Sequence, residues 1–378
     1  MFFPAFEHLG KPEILTLVAV LGLLLIILNY VLTNFPLARY KALNQAANYP
    51  PVSIVICAKN EDDNLTEFLP KVMSQDYPEF EVIVVNDCSW DNTENVIDEF
   101  AKIFPNLRKA TIKEDPYYKH GKKFALLVGI KATRYNHMLL TDADCYPASD
   151  QWLKHMANEF SDKKQIILGY GAYERGKGFL NKLIRYDSFS IAIQYLSASI
   201  KGKPYMGVGR NLAYTKELFF EQKGFSKHYH INSGDDDLFV NQAANEQNTG
   251  IVVKAEAITY SKPEKNFRDW VIQKSRHLRT APLYNAQSKR MLSFSYFSQY
   301  FFYMSLLPLL FDLQTLLVIP IILVLKACLQ WLFLNKITKQ LNERDLLAGS
   351  VIYELVLLVI YPIFHVGKLI YKPNKWTN

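Results

Sequence analysis

The sequence predicts an α/β domain, a mostly parallel sheet flanked by helices, held at a membrane by hydrophobic helices at both ends. Three observations predict it. Short apolar strands alternate with helices through the middle of the chain, the strands end on acidic residues, and the charge-poor runs are confined to the two ends. Of the 378 residues, 49% are hydrophobic and 21% charged. That is apolar for a soluble protein, and the excess is not evenly spread.

At the N-terminal end, Ile14 to Leu32 carries no charge and is long enough as a helix to cross a bilayer core. It exceeds the apolar core of a cleaved signal, Lys11 and Glu13 precede it, and no small-residue cleavage site follows, so it reads as an anchor. Arg39 and Lys41 come next and place the following domain in the cytoplasm by the positive-inside tendency; the basic stretch Lys262 to Arg290 agrees. Charge-poor runs then cover Met291 to Phe311, Leu313 to Leu334 (interrupted by Lys326) and Leu346 to Val366 (with Glu354). Three full crossings would carry the basic tail Lys368, Lys372 and Lys375 outside, so one run is expected to lie in the interface or re-enter. The expected organisation is an anchor over 1–38, a cytoplasmic domain over 39–290, and a membrane region over 291–378 with two to three hydrophobic helices.

Within the soluble part, Val52 to Ile56 is a short apolar strand, and Asn60 to Asn64 offers N-cap chemistry before a helix over Leu65 to Met73. Glu81 to Val85 is a second strand, stopping at Asn86-Asp87. Asp91-Asn92-Thr93 caps a helix through Ile103, Gly121 opens another through Ala132, and His137 to Leu140 is a strand ending at Thr141-Asp142. Such alternation means right-handed βαβ units and a parallel sheet, whose ligands sit beyond the carboxyl ends of the strands.

Acids stand at three of those ends: Glu61, Asp87 with Asp91, and Asp142-Ala143-Asp144. One such acid is usually a turn residue or cap; three on one edge call for another account. Two carboxylates flanking a small residue suit a hard divalent cation, though an acidic turn before Pro147 has the same letters. Asp235-Asp236-Asp237 repel one another, which is wasteful for a cap alone and allows one to serve as general base. Gln273 to His277 on a basic helix reads either as a membrane-surface face or as an Arg that holds a phosphate. Lys122-Lys123 and the GVGRN stretch, Gly207 to Asn211, are further candidates of the same kind. Cys57, Cys88, Cys145 and Cys328 lack metal-ligand spacing and read as buried thiols of a reducing compartment. The net charge of +7 fits lysines facing anionic membrane lipids, and no aromatic-basic motif argues for nucleic acid.

Taken in order, Val52 to Glu61, Val84 to Asp91, Gly121 to Leu126, Asp142-Ala143-Asp144, the acidic triplet and Gln273-x-x-Arg276 resemble the family 2 glycosyltransferases with a GT-A fold, over about Pro51 to Arg279. The terminal membrane segments resemble the synthase-like branch of that family. The resemblance implies that Glu61 and Asp87 hold the nucleotide, and that Asp142 and Asp144 contact the donor diphosphate and its Mg2+ or Mn2+. It also implies that Asp235 is the base, with Asp236 as second choice, and that Gln273 and Arg276 lie over the diphosphate; Lys123 joins the donor-binding set. Gly234 departs from the family, which often has Glu there, and His277 replaces the usual Trp. The His277 departure and the few C-terminal segments favour single transfer over processive synthesis, while the Gly234 departure bears on which of Asp235 and Asp236 is the base.

The function these residues imply is metal-dependent, inverting transfer of a sugar from a nucleotide-diphosphate donor, UDP ahead of GDP, to a lipid-linked or glycan acceptor at the membrane. A noncatalytic nucleotide-sugar-binding subunit and a metal-dependent nucleotidyl- or phosphotransferase are the readings from other classes.

Overall fold

The computed structural model describes residues 10–41, 48–114 and 121–370; Lys372 and Lys375 of the tail lie outside them. Helix α1 (Lys11–Thr33) and the short α2 (Phe35–Arg39) lead into alternating units: β1 (Val52–Ala58), α3 (Asp62–Met73), β2 (Phe80–Asp87), α4 (Thr93–Ile103), β3 (Leu107–Ile112), α5 (Lys122–Ala132) and β4 (His137–Asp142). Then come β5 (Cys145–Pro147), α6 (Trp152–Ala157), β6 (Ile166–Leu168), β7 (Gly171–Tyr173), the long α7 (Phe179–Ile200), β8 (Leu212–Thr215), α8 (Lys216–Glu221), α9 (Asp237–Ala243), β9 (Thr249–Ile251) and β10 (Thr259–Ser261). Four helices follow: α10 (Phe267–His277), α11 (Ala286–Leu306), α12 (Val318–Gln340) and α13 (Ser350–Ile370).

The strands form a seven-stranded sheet in the order β3-β2-β1-β4-β8-β6-β9 and a small second sheet β5-β10-β7. Strands β1 to β4 run parallel, and β8 enters antiparallel between β4 and β6. Both faces of the parallel part are covered, which is why its strands read as near-continuous apolar runs. Ile54, Ile56, Val82 and Val84 pack with Leu65, Leu69 and Val72 of α3 and Ile97 of α4. Val55, Ile83 and Val85 pack with Ala125, Leu126 and Ile130 of α5. Helix α5 approaches so closely at Gly129 that a Cβ there would meet Val55 Cγ1 at 2.6 Å and Val85 Cγ2 at 2.8 Å. Strand β3 was not among the expected strands: its Leu-Arg-Lys-Ala-Thr-Ile carries charge because it is an edge strand, and Arg108 pairs with Glu81 at 2.8 Å.

Among the described residues, three helices are long and apolar enough to cross a membrane: α1, α12 and α13. The run Met291 to Phe311 does not form one continuous span: α11 ends at Leu306 and the chain turns through Pro308–Phe311. Its serines explain the weak hydropathy, because Ser295, Ser298 and Ser305 are buried and let helices approach. A Cβ on Gly22 of α1 would lie 2.6 Å from Ser305 Oγ and 3.2 Å from Phe302 Cα. The two later spans start further along than their apolar runs, at Val318 and Ser350.

The C-terminal half of helix α13 lies on the α/β domain. Tyr361 donates to Asp187 Oδ1 of α7 at 2.6 Å, Phe364 packs on Trp270 of α10, Ser275 donates to the Phe364 carbonyl, and Arg279 donates to the Lys368 carbonyl. Its other face, Ile352, Leu355, Val359, Ile363 and Val366, is exposed. The turn from α12 to α13 is pinned by Arg185 of α7, which donates to both carboxylate oxygens of Asp345 at 2.7 Å and to the buried Glu343.

Candidate active site at the carboxyl edge of the sheet

Register brings the acids together. Cys57 of β1 lies opposite Asp142 of β4, and Ala58 opposite Asn86 of β2, so Glu61, Asp87 and Asp142 all follow adjacent strand ends. The turn after β1 passes through Asn60 and the turn after β2 through Cys88, both at positive φ (56° and 55°). The two loops are laced together: Asn60 N–H donates to Ser89, Trp90 N–H to Asn60 Oδ1, Glu61 N–H to Thr93, and Asp62 and Thr93 N–H to Asp91. Asp91 is thus a loop cap, as its place before the helix suggested. Glu61 accepts from Asn64 at 2.7 Å, and burial, with Asp144, Asp142 and Asp91 nearby, lifts its carboxyl to about 7. Asp87 is fully buried at the end of β2.

Asp142 and Asp144 stand where β4 ends and β5 begins. Their carboxylates and the Cys145 thiol lie within 4.8 Å of one another. Burial raises Asp142, but Lys122, Arg210 and Arg276 outweigh it and hold the group below its ordinary value; Asp144 is raised by burial and by Asp142. Cys145 is pushed well above the usual thiol range by burial and by both carboxylates, so it stays a thiol and leaves two oxygen donors for a hard cation.

The acidic triplet divides its labour. Asp236 Oδ2 accepts from Gly209 N–H at 2.8 Å and its Oδ1 accepts from Asp237 N–H at 2.7 Å, capping α9. Asp237 accepts from Tyr284 at 2.6 Å and from Thr280. Asp235 instead meets Lys122 Nζ at 3.4 Å, and the same ammonium is 2.7 Å from Asp142 Oδ1. Asp142, Asp235, Asp236, Lys122 and Gly209 therefore share one small cavity. Burial followed by repulsion from Asp235 and Asp237 lifts Asp236 to about 7. Against the cost of burial, Asp142, Asp235 and Asp236 hold Lys122 protonated well above the usual lysine range. Gly234, where the family often has Glu, sits at φ 91°, and a Cβ there would meet Leu238 Cδ1 at 2.4 Å. Only glycine is compatible with that turn.

The structure places the two neighbouring lysines differently. Lys123, assigned to donor binding from the sequence, turns away and bonds the His228 carbonyl at 2.6 Å, His228 Nδ1 at 2.9 Å and the Ile231 carbonyl at 3.1 Å, holding the loop before the triplet. Successive helix positions point about 100° apart, so only one of the two can face the cavity. Arg210, offered by the sequence only as part of the GVGRN stretch, is a second cation at the site. It donates to the Ala172 carbonyl and Ser261, lies 4.2 Å over the Tyr173 ring, and acts on both Asp142 and Asp144. Gln273 accepts from Tyr173 at 3.2 Å and donates to Glu264 at 3.0 Å, beside that arginine. Arg276 is exposed on the same helix.

A parallel sheet with acids at its carboxyl edge, an inserted antiparallel strand and a small second sheet is the GT-A glycosyltransferase fold. The mannosyltransferase PcManGT from Pyrobaculum calidifontis, solved in complex with GDP-Man and Mn2+, matches with a TM-score of 0.59 at 16% identity, over 90% of this chain and 99% of that one. This is a likeness of fold. The family model for glycosyl transferase family 2 matches residues 53–221 of this chain. The chain is 30% identical over 175 residues to glycosyltransferase AglE of Haloferax volcanii (46% of this chain, 53% of that protein). It is 37% identical over 93 residues to poly-beta-1,6-N-acetyl-D-glucosamine synthase of Staphylococcus epidermidis (25% and 21%), and 28% identical over 157 residues to beta-monoglucosyldiacylglycerol synthase of Trichormus variabilis (41% and 32%). The chain spans about half or less of the length of these curated relatives.

Proposed function

We propose that the chain is an inverting glycosyltransferase that moves a sugar from a nucleotide-diphosphate donor, UDP ahead of GDP, to an acceptor held at the membrane. One observation carries the reading: Lys122 sits between Asp142 and Asp235, so the D-x-D pair and the acidic triplet, far apart in sequence, address one cavity. Glu61 and Asp87 hold the nucleotide at the ends of β1 and β2. Asp235 takes the proton of an acceptor hydroxyl, which attacks the anomeric carbon as the nucleoside diphosphate departs from the opposite face. Lys122, Arg210 and Arg276 hold positive charge where the negative charge of the leaving diphosphate grows. Two oxygen donors beside a neutral thiol fit Mg2+ or Mn2+, held by Asp142 and Asp144. Such an ion supplies Lewis-acid neutralisation of the diphosphate.

The packing supports one membrane arrangement. Helix α1 crosses, α11 and α12 form a hairpin whose tip exposes Phe311, Leu313 and Leu317, and α13 lies in the plane with its apolar face in lipid. The catalytic domain and Lys368 then share the cytoplasmic side with Arg39 and the basic stretch before α11.

The test is nucleoside-diphosphate release by the purified full chain with a panel of UDP- and GDP-sugars, Mg2+ or Mn2+, and a membrane lipid extract. Release that needs one donor and the cation, and vanishes in Asp144→Ala, supports transfer. Pyrophosphate release instead would move the chain to nucleotidyl transfer. Donor binding by calorimetry without release under any condition would make it a noncatalytic subunit.

A further inference from the structure

A second cavity lies where α1 meets the catalytic domain, walled by α1, α7, α11, α12 and α13. Its volume is about 60 Å3, and roughly 10–15 Å3 holds one water, so it has room for several water-sized polar groups. The lining is unusual for a junction with a membrane bundle, where a polar group without a partner is costly. Asn29, Thr33, Gln194, Tyr296 and Gln299 contribute amides and hydroxyls, and Glu354 is the one charged lining group among the described residues. Glu354 is already answered: Lys326 lies 2.8 Å from its Oε1, Tyr30 donates to Oε2 at 2.9 Å and Tyr303 to Oε1 at 3.2 Å. No Lys, Arg or His lines the cavity among the described residues.

One lining group is left over. Asn29 is 2% exposed, and its Oδ1 makes no hydrogen bond among the described residues, although buried side-chain polar atoms are nearly always satisfied. Thr33, Gln194, Tyr296 and Gln299 are only half-buried, so the cavity has an open rim above a buried floor. Beside that rim, Leu28, Leu32 and Phe297 expose apolar side chains. A cavity of neutral hydrogen-bonding groups flanked by exposed hydrocarbon has the shape and chemistry of a lipid whose headgroup is polar and uncharged. The absence of cationic lining argues against a phosphate, which is held by Arg, Lys or helix N-termini.

We propose that this cavity seats the neutral, hydroxyl-bearing headgroup of a membrane lipid. A short column joins it to the catalytic edge: Tyr361, in the cavity wall, donates to Asp187, whose other oxygen is 2.6 Å from Lys274 Nζ, next to Gln273 on α10.

The experiment uses the full chain in an amine-oxide detergent, which has no sugar headgroup to compete. Acyl-labelled fluorescent diacylglycerol, monoglucosyldiacylglycerol and phosphatidate are titrated in the absence of donor, and UDP binding with Mn2+ is measured separately by calorimetry. The expected result is that a neutral lipid binds at least about tenfold more tightly than phosphatidate. Asn29→Leu, and independently the rim variant Gln194→Leu, should each weaken it about fivefold to tenfold, the loss of one hydrogen bond, while UDP binding reports an intact fold. Phosphatidate binding as tightly as the neutral lipids, or both variants binding like the wild type, overturns the seat. UDP binding with no lipid binding leaves the donor site standing and removes the cavity proposal; lipid binding with no UDP binding does the reverse.

Discussion

Replacing Asp236 by Asn should stabilise or destabilise the metal-free protein depending on pH, and the sign should reverse between pH 4 and pH 8. Asp236 carries a raised pKa in the fold, about 7 against an ordinary 3.8, because it is buried beside Asp235 and Asp237. A raised carboxyl favours the folded state only while it is protonated. Its contribution is fully present below pH 4 and is lost as pH rises through about 7. At 1.36 kcal/mol per unit, and allowing for partial exposure, ionisation at pH 8 costs the fold about 2–4 kcal/mol. The Asn variant has no charge to pay for. It does lose one acceptor, since Asp236 receives N–H groups from both Gly209 and Asp237 and an amide oxygen can replace only one oxygen, at about 1 kcal/mol. The net expectation is about 0.5–1 kcal/mol of destabilisation at pH 4, near balance at pH 5, and about 1–3 kcal/mol of stabilisation at pH 8. Thermal melts of the two proteins in chelator should therefore cross. In transfer, Asp236→Asn should lose little, whereas Asp235→Asn should lose about 10²–10⁴-fold in kcat, as expected for a general base, with donor binding kept. Melts that do not cross would refute the charge argument. A loss of turnover in Asp236→Asn matching that of Asp235→Asn would refute the division of labour within the triplet.

Lys122→Met should lower kcat while leaving the loop over 228–231 in place, whereas Lys123→Met should lower the melting temperature by removing three hydrogen bonds to that loop. An unchanged melt with a raised donor KM in Lys123→Met would return that lysine to the donor site. Gly234→Ala should cost about 1–2 kcal/mol from its positive φ, more from the overlap with Leu238, and should depress kcat by displacing Asp235; a wild-type melt and rate would show that the turn has slack. Arg185→Leu should destabilise by about 3–5 kcal/mol by leaving Glu343 buried without its cation, and adding Glu343→Gln should recover part of the loss in urea titrations. No recovery would mean that Arg185 acts through Asp345 alone.

The fold class was legible because it rests on local periodicity. Apolar strands such as Val52 to Ile56 and Glu81 to Val85, each followed by capped helices, have no other compact arrangement than a parallel sheet, and strand-end acids must then share an edge. Glu61, Asp87, Asp142 and Asp144 could be named for that reason. The edge strand β3 was not legible, because an edge strand hides its signal under charge.

What only the tertiary structure decided are the contacts between segments distant in the chain. Lys122 and Lys123 are equivalent as letters; the rotation of α5 against the sheet sends one to Asp142 and Asp235 and the other to His228. Arg210 looks like a turn residue until β8 is inserted beside β4. Gly234 looks like a departure until its backbone is seen to need positive φ. Likewise, α13 has the composition of a span, and composition measures only how apolar a helix is. What such a helix meets is set by its other face: Trp270, Ser275 and Asp187 meet its C-terminal half, whereas Tyr30, Tyr303 and Lys326 meet Glu354 nearer its start.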